Sequence, residues 1–164
     1  GKIGCEVARR ARAFGMSVLG YDPYLPESVL KEVSEPVKNV DEIYRRSDFI
    51  SIHTPLTNET RGMVNEVAFA KMKAGVRIVN AARGGILDEA ALLANLKSGK
   101  VAGAALDVFS EEPPTNKELL SEDRLILTPH IGAATGESQD TCAEMLSNQI
   151  IEFFTKGIAV NVVN

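Results

Sequence analysis

The chain has 164 residues, 45% of them hydrophobic and 24% charged, which is the size and composition of one globular domain with its own core. Its formal net charge of −4 argues against nucleic acid as a main partner, because phosphate binding needs clustered Lys and Arg. No apolar run approaches the roughly 20 residues of a membrane span, so we expect no membrane partner either.

Short apolar segments alternate with segments of helical period along the whole chain. Continuous apolar runs indicate strands buried on both faces, and strand–helix alternation predicts a parallel sheet with helices on both sides. We find no repeat and no linker, so residues 1–164 are predicted to form one α/β domain. The predicted elements in chain order are helix Ile3–Phe14, strand Val18–Tyr21, helix Asp41–Arg46, strand Phe49–His53, helix Asn65–Met72, strand Val76–Asn80, helix Asp88–Ser98, strand Ala102–Val108, strand Leu125–Leu127 and helix Gly136–Thr155.

The two cysteines bear on the cellular compartment. Cys5 and Cys142 lack the spacing of a metal site or of a disulfide framework. We therefore predict no bound metal and two free thiols, with Cys5 packed against its neighbours. Free thiols are typical of a reducing compartment, which favours the cytosol.

The chain begins Gly1-Lys2-Ile3-Gly4, leads into a helix, and reaches Asp22 at the end of the next short strand. Glycine lets a backbone approach a pyrophosphate, and a helix N-terminus offers free N–H groups, so this order resembles part of a dinucleotide-binding βαβ unit. Asp22 follows Gly4 by 22 − 4 = 18 residues, close to the roughly 20 expected for a carboxylate that binds the ribose. That carboxylate would repel a 2′-phosphate and favour NAD over NADP. A helix N-terminus followed by a turn aspartate before Pro23 is the alternative.

Four further polar stretches each follow a predicted strand. Carboxyl ends of parallel strands meet at one edge of a sheet, so we expect these stretches to gather beside the glycine turn. An arginine can clamp a carboxylate, and a histidine paired with a carboxylate can accept a hydroxyl proton, which suits redox chemistry at a 2-hydroxy acid. The stretches are H-T-P-L at 53–56, N-A-A-R-G-G at 80–85, D-V-F-S-E-E-P at 107–113 and T-P-H-I-G at 128–132.

The three residues that would carry this chemistry are Arg83, Glu112 and His130, and each has an ordinary structural alternative. Arg83 before Gly-Gly can be a surface turn cation, and Glu112 before Pro-Pro can be a solvated acid. His130 after Pro can be structural. We favour a shared site because all three fall just after a strand. We interpret His53 as structural, with Thr54 as the cofactor contact.

These stretches make the chain resemble the NAD-binding domain of the D-isomer-specific 2-hydroxyacid dehydrogenases. The resemblance implies a Rossmann-type doubly wound parallel sheet, NAD as the cofactor, and a small-molecule 2-hydroxy acid as the substrate. The matching stretches, in the same order as in the family, are G-K-I-G…D at 1–22, H-T-P-L-T at 53–57, V-N-A-A-R-G-G-I-L-D-E-A-A-L at 79–92, V-A-G-A-A-L-D-V-F-S-E-E-P-P at 101–114 and T-P-H-I-G-A-A-T at 128–135.

The resemblance also implies roles for individual residues. His130 matches the acid/base, Glu112 its carboxylate partner, and Arg83 the residue that orients the substrate and polarises its carbonyl. Together with the glycine turn, the predicted cofactor-binding residues are Gly1, Lys2, Ile3, Gly4, Asp22, Thr54, Ala81, Ala82, Arg83, Asp107, His130 and Ala133.

Within the family, P-H-I-G-A-A-T-x-E-x-Q at 129–139 and V-N-V-V-N at 160–164 resemble the branch that oxidises 3-phospho-D-glycerate to 3-phosphohydroxypyruvate, the step that opens serine biosynthesis. Sister enzymes acting on glyoxylate, hydroxypyruvate or D-lactate share the three catalytic residues and are the alternative. Corepressors that dimerise in response to dinucleotide are an alternative of another class.

The chain also departs from the family pattern by omission. The first strand, the first motif glycine and the substrate domain have no counterpart in residues 1–164. We therefore expect the domain to be incomplete at its N-terminal edge and nearly inactive by itself. We expect the full-length protein to be a dimer or tetramer.

Overall fold

The computed structural model of the chain describes residues 1–162, so the last two residues of the V-N-V-V-N stretch lie outside the description. The chain divides into two compact units, Gly1–Pro129 and His130–Asn164. Within the described residues, no helix combines the length and the apolarity needed to cross a membrane. Cys5 and Cys142 are both free thiols.

All ten predicted elements are present, with ends that shift by at most two residues. Three short elements were not predicted, because segments of two to seven residues are too short to show a period; they are Glu27–Val33, Glu35–Pro36 and Lys117–Leu120. The first unit contains, in order, α1 (Lys2–Ala13), β1 (Leu19–Gly20), α2 (Glu27–Val33), β2 (Glu35–Pro36), α3 (Val40–Arg46), β3 (Phe49–Ile52), α4 (Glu66–Lys71), β4 (Val76–Asn80), α5 (Glu89–Lys97), β5 (Val101–Leu106), α6 (Lys117–Leu120) and β6 (Leu125–Leu127). The second unit contains α7 (Gly136–Lys156).

Every strand pairing among residues 1–162 is parallel, which confirms the predicted α/β fold class. The main sheet has the order β3-β4-β5-β6, and β1 and β2 form a separate pair. Consecutive strands of the main sheet are neighbours, and a helix lies between β3 and β4, between β4 and β5, and between β5 and β6 in the chain. These are βαβ connections, which place the carboxyl ends of all four strands at one edge.

Side-chain caps set where the helices α4 and α5 begin. Asn65 accepts hydrogen bonds from the backbone N–H groups of Val67 and Ala68, and Asp88 accepts from those of Ala90 and Ala91. Each cap satisfies N–H groups that the helix itself leaves unpaired and contributes about 1 kcal/mol. The loops that precede α4 and α5 therefore end at defined residues.

The core lies between the main sheet and the helices α3 to α6. Phe69 of α4, Leu92 of α5 and Ile78 of β4 are fully buried within it. The expectation that strands are buried on both faces is wrong for β3 and β4 within the first unit. Phe49 is 53% exposed and Val79 is 38% exposed. Ser51 and Arg77 are also exposed, but the apolar Phe49 and Val79 occupy the same alternate positions and mask the period of the two strands.

Candidate functional site

The register of the main sheet aligns the last residues of its strands. Ile52 pairs with Asn80, Asn80 with Leu106, and Leu106 with Leu127. The four polar stretches predicted from the sequence therefore leave the sheet from one row. This row is the carboxyl edge, where open α/β sheets bind ligands.

The N-terminus of α1 and Asp22 lie together, as the dinucleotide-binding pattern predicts. Gly1 is the N-cap of α1, and its nitrogen lies 2.7 Å from Oδ2 of Asp22. Oδ1 of Asp22 accepts from the backbone N–H groups of Tyr24 and Leu25 at 2.9 and 3.2 Å. Burial opposes the charged form of this carboxyl, and these backbone donors stabilise it.

His53 lies against the first turn of α1. A Cβ built on Gly4 would come within 3.4 Å of the Cβ of His53, so a larger side chain at residue 4 would press on this stretch. Nε2 of His53 and the hydroxyl of Ser51 share a 2.8 Å hydrogen bond. Burial lowers the pKa of His53, which favours the neutral imidazole. These contacts fit the structural role predicted for His53.

The Thr54 hydroxyl is different from its neighbours in having no partner. Its Oγ1 is buried, and no hydrogen-bond partner for it exists among the described residues. A buried polar atom without a partner costs about 1–3 kcal/mol. A polar atom of a bound ligand would remove that cost.

The stretch after β4 is folded back on the side chain of Asn80, which is only 2% exposed. Oδ1 of Asn80 accepts from the N–H of Ala82 at 3.1 Å, and its Nδ2 donates to the carbonyl of Arg83 at 3.1 Å. The Arg83 side chain stays exposed, and its Nη1 donates to the carbonyl of Ala82 at 2.6 Å. Gly85 has a φ of +78°, a conformation that favours glycine. The loop thus holds Arg83 at the carboxyl edge.

The stretch after β5 is fixed at its base and lies against the Arg83 loop. The N–H of Asp107 donates to the carbonyl of Asn80 at 3.0 Å, and Oδ1 of Asp107 accepts from the Thr128 hydroxyl at 2.5 Å. A Cβ on Gly84 would lie 1.7 Å from the carbonyl oxygen of Phe109, so only glycine allows this approach. Oε1 of Glu112 accepts from the N–H of Phe109 at 3.0 Å. Arg83 and Glu112 are thus carried by two loops in direct backbone contact.

His130 and Ala133 belong to the second unit. His130 has a φ of 56°, in the left-handed region that residues other than glycine seldom adopt. The N–H of Ala134 donates to the carbonyl of Ile131 at 3.0 Å, and the Thr135 hydroxyl caps α7 by accepting from the N–H of Ser138. Unusual backbone conformations of this kind concentrate at functional sites.

These residues fit the dinucleotide predicted from the sequence. The first N–H groups of α1 have no partner within the helix, and Asp22 places an anion beside them. The unpartnered Thr54 hydroxyl is the most direct sign of a missing ligand atom. Two contributors were not predicted as site residues. The first is Asn80, whose side chain accepts from the Ala82 N–H and donates to the Arg83 carbonyl. The second is Gly84, whose contact with the Phe109 carbonyl is visible only in the folded chain. Both lie in the predicted stretch 80–85.

Comparison with known proteins agrees with this geometry. The family described as D-isomer specific 2-hydroxyacid dehydrogenase, NAD binding domain, matches residues 1–132. D-3-phosphoglycerate dehydrogenase of Bacillus subtilis is 49% identical over 160 residues, which cover 98% of this chain and 30% of that protein. Hydroxypyruvate reductase of Thermotoga maritima is 54% identical over 144 residues, which cover 85% of this chain and 45% of that protein.

A solved structure extends the likeness to three dimensions. The crystal structure of a glyoxylate reductase from Paecilomyes thermophila superposes with a TM-score of 0.91 at 41% identity, covering 99% of this chain and 49% of that one. The chain thus spans between about a third and a half of the length of these relatives.

Proposed function

Because the chain belongs to the D-isomer specific 2-hydroxyacid dehydrogenases and matches their NAD binding domain, we propose that the complete protein containing it interconverts a D-2-hydroxy acid and its 2-oxo acid. NAD, when bound, accepts or returns the hydride. The observation that carries the proposal is the carboxyl edge of the main sheet, which Thr54 and the Arg83 and Glu112 loops follow. The N-terminus of α1 lies beside Asp22 and against His53 in the same unit.

We assign each side chain a task that its chemistry allows. The Arg83 guanidinium offers paired N–H donors to the substrate carboxylate. His130 accepts the hydroxyl proton as the substrate is oxidised and returns it in the reverse reaction. Glu112 is its carboxylate partner and stabilises the imidazolium, an assignment that rests on the family resemblance. Asp22 binds the ribose hydroxyls and disfavours a 2′-phosphate.

Among substrates of this class we favour 3-phospho-D-glycerate, with 3-phosphohydroxypyruvate as the product. Support comes from the 49% identity to a D-3-phosphoglycerate dehydrogenase across nearly the whole chain, and from the sequence that follows His130. Hydroxypyruvate and glyoxylate are the second candidate, since a hydroxypyruvate reductase is 54% identical over a shorter stretch. Assembly of the complete protein as a dimer or tetramer is part of the same proposal.

The experiment is a set of pH–rate profiles on the complete protein, first assayed with a panel of 2-hydroxy acids that includes 3-phospho-D-glycerate, D-glycerate, glycolate and D-lactate. His130→Ala should lower kcat for oxidation by roughly 10²–10⁴ with little change in NAD affinity. Arg83→Ala should raise KM and lower kcat together, because it orients the substrate in ground and transition states alike.

Glu112→Gln tests the pairing with His130. Loss of the carboxylate should make the imidazolium less stable, and the acidic limb of the kcat/KM profile for oxidation should move to lower pH. A limb that stays in place would refute the pairing. Absence of turnover with every panel member, together with NADH-dependent capture of a partner protein, would refute the dehydrogenase assignment and favour a corepressor.

A further inference from the structure

We infer that Glu89 is a positioning residue for Glu112, an inference that rests on the proposed function. Glu89 is the first residue of α5, and its Oε1 accepts a 2.7 Å hydrogen bond from the backbone N–H of Ser110. Ser110 is two residues from Glu112 in the loop that follows β5. The contact therefore joins the start of α5 to the loop that carries the proposed partner of the acid/base.

The Glu89 carboxylate is not needed by its own helix. Asp88 is the N-cap of α5 and accepts from the N–H groups of Ala90 and Ala91, both at 3.0 Å. An acidic first-turn residue ordinarily contributes through its attraction to the helix dipole. Glu89 instead makes a charge-assisted hydrogen bond to a loop 21 residues away in the chain.

The Phe109–Ser110 peptide is held by two contacts, one on its carbonyl and one on its N–H. The carbonyl of Phe109 lies against Gly84, at a separation that leaves no room for a Cβ, and the N–H of the same peptide unit, on Ser110, donates to Glu89. The opposite edges of this planar unit are thus fixed by the Arg83 loop and by α5. The N–H of Phe109, one peptide earlier, donates to Oε1 of Glu112 at 3.0 Å.

Removal of the Glu89 carboxylate therefore frees the Phe109–Ser110 peptide to rotate about its flanking bonds. Rotation about ψ of Phe109 moves the chain from Ser110 to Glu112 while the Phe109 N–H stays in place, so the Glu112 carboxylate is displaced relative to its donor. A misplacement of about 1 Å can cost up to about 100-fold in rate. We expect Glu89→Ala to lower kcat for oxidation about tenfold, with the NAD dissociation constant essentially unchanged.

Three variants of the complete protein test the inference. Glu89→Ala removes the acceptor, and Glu89→Gln retains an oxygen at the same reach. Glu66→Ala is the matched control, because Glu66 is also the first residue of its helix, α4, and its Oε2 accepts from Asn95 at 2.8 Å rather than from a site loop. All three should change the free energy of unfolding by similar small amounts.

The first readout needs no activity and no cofactor. Amide hydrogen exchange at Ser110 should accelerate about tenfold in Glu89→Ala, as expected when an exposed N–H loses its acceptor. It should stay near the wild-type rate in Glu89→Gln and in Glu66→Ala. An unchanged rate in Glu89→Ala would overturn the inference, because the hydrogen bond would then have no role in solution.

The second readout separates positioning from stability. In Glu89→Ala the acidic limb of kcat/KM for oxidation should move to lower pH, in the same direction as in Glu112→Gln, and Glu89→Gln should restore it. Combining Glu89→Ala with Glu112→Gln should add no further shift, since both act on one carboxylate. A limb that moves in Glu112→Gln but not in Glu89→Ala refutes the role of Glu89 alone. A limb that moves in neither refutes the pairing of Glu112 with His130, and the inference with it.

Discussion

Replacement of Gly84 by alanine should separate the two loops of the candidate site. The added Cβ would lie 1.7 Å from the carbonyl oxygen of Phe109 and 2.3 Å from its carbon, whereas ordinary contact begins near 3.4 Å. Relief requires a shift of about 1.7 Å, the difference 3.4 − 1.7, and the opposing atoms are backbone, so no rotamer change supplies it. Overpacking of this kind costs about 1–3 kcal/mol, and we expect the upper end of that range.

The same shift should lower catalysis, because it moves the Glu112 loop away from Arg83. We expect kcat/KM of the complete protein to fall by roughly 10- to 100-fold. Urea unfolding measures the loss of stability, and steady-state kinetics measures the loss of rate. Gly136→Ala is the control, because among residues 1–162 no atom outside its own stretch of helix lies within 4 Å of its added Cβ, and it should behave as wild type. A Gly84→Ala variant within about 0.5 kcal/mol of wild type, the usual range of surface substitutions, would refute the close approach of the loops.

Three further outcomes are expected. Asp22→Ser should narrow the preference for NADH over NADPH by about 10- to 100-fold, as measured by fluorescence titration. The reason is that like charges about 4 Å apart repel by about 4 kcal/mol at an effective dielectric of 20, before solvent screening reduces the repulsion. If the relative affinities for the two cofactors do not change, Asp22 is a turn residue only. Thr54→Val removes a buried hydroxyl that has no partner among the described residues. It should leave the unliganded protein equally stable or about 1 kcal/mol more stable, and it should weaken NADH binding. Lower stability together with unchanged NADH affinity would contradict this prediction. Burial lowers the pKa of His53, so below pH 6.5 the folded protein binds fewer protons at this residue than the unfolded chain does. The neutral imidazole therefore stabilises the fold above the unfolded-state pKa of 6.5, and this stabilisation should be lost as pH falls through the folded-state pKa. Unfolding by urea at a series of pH values, with His53→Asn as the comparison, should show a shallower acid-side loss in the variant, and equal slopes would refute the pKa shift.

The sequence determined the order and type of the longer elements, because their signals are local. Asp88 and Asn65 mark helix starts through hydrogen bonds to N–H groups two and three residues ahead. Strand β4 is bounded as predicted, at Val76–Asn80, since Val76, Ile78 and Val79 form a short apolar segment between polar ones. The clustering of the site stretches also followed from the sequence, because parallel strands place successive loops at one edge.

The tertiary structure alone decided which residues touch across that edge. Glu89 looks like an ordinary first-turn acid, yet its carboxylate binds Ser110, 21 positions away. Gly84 looks like a turn residue, yet the Phe109 carbonyl occupies the space of its missing Cβ. The exposure of Phe49 in β3 was likewise not predicted from the sequence. Contacts between distant segments depend on strand register and helix packing, which no local spacing encodes. For that reason the sequence could predict candidate site residues, and only the folded chain shows what holds the Glu112 loop in place.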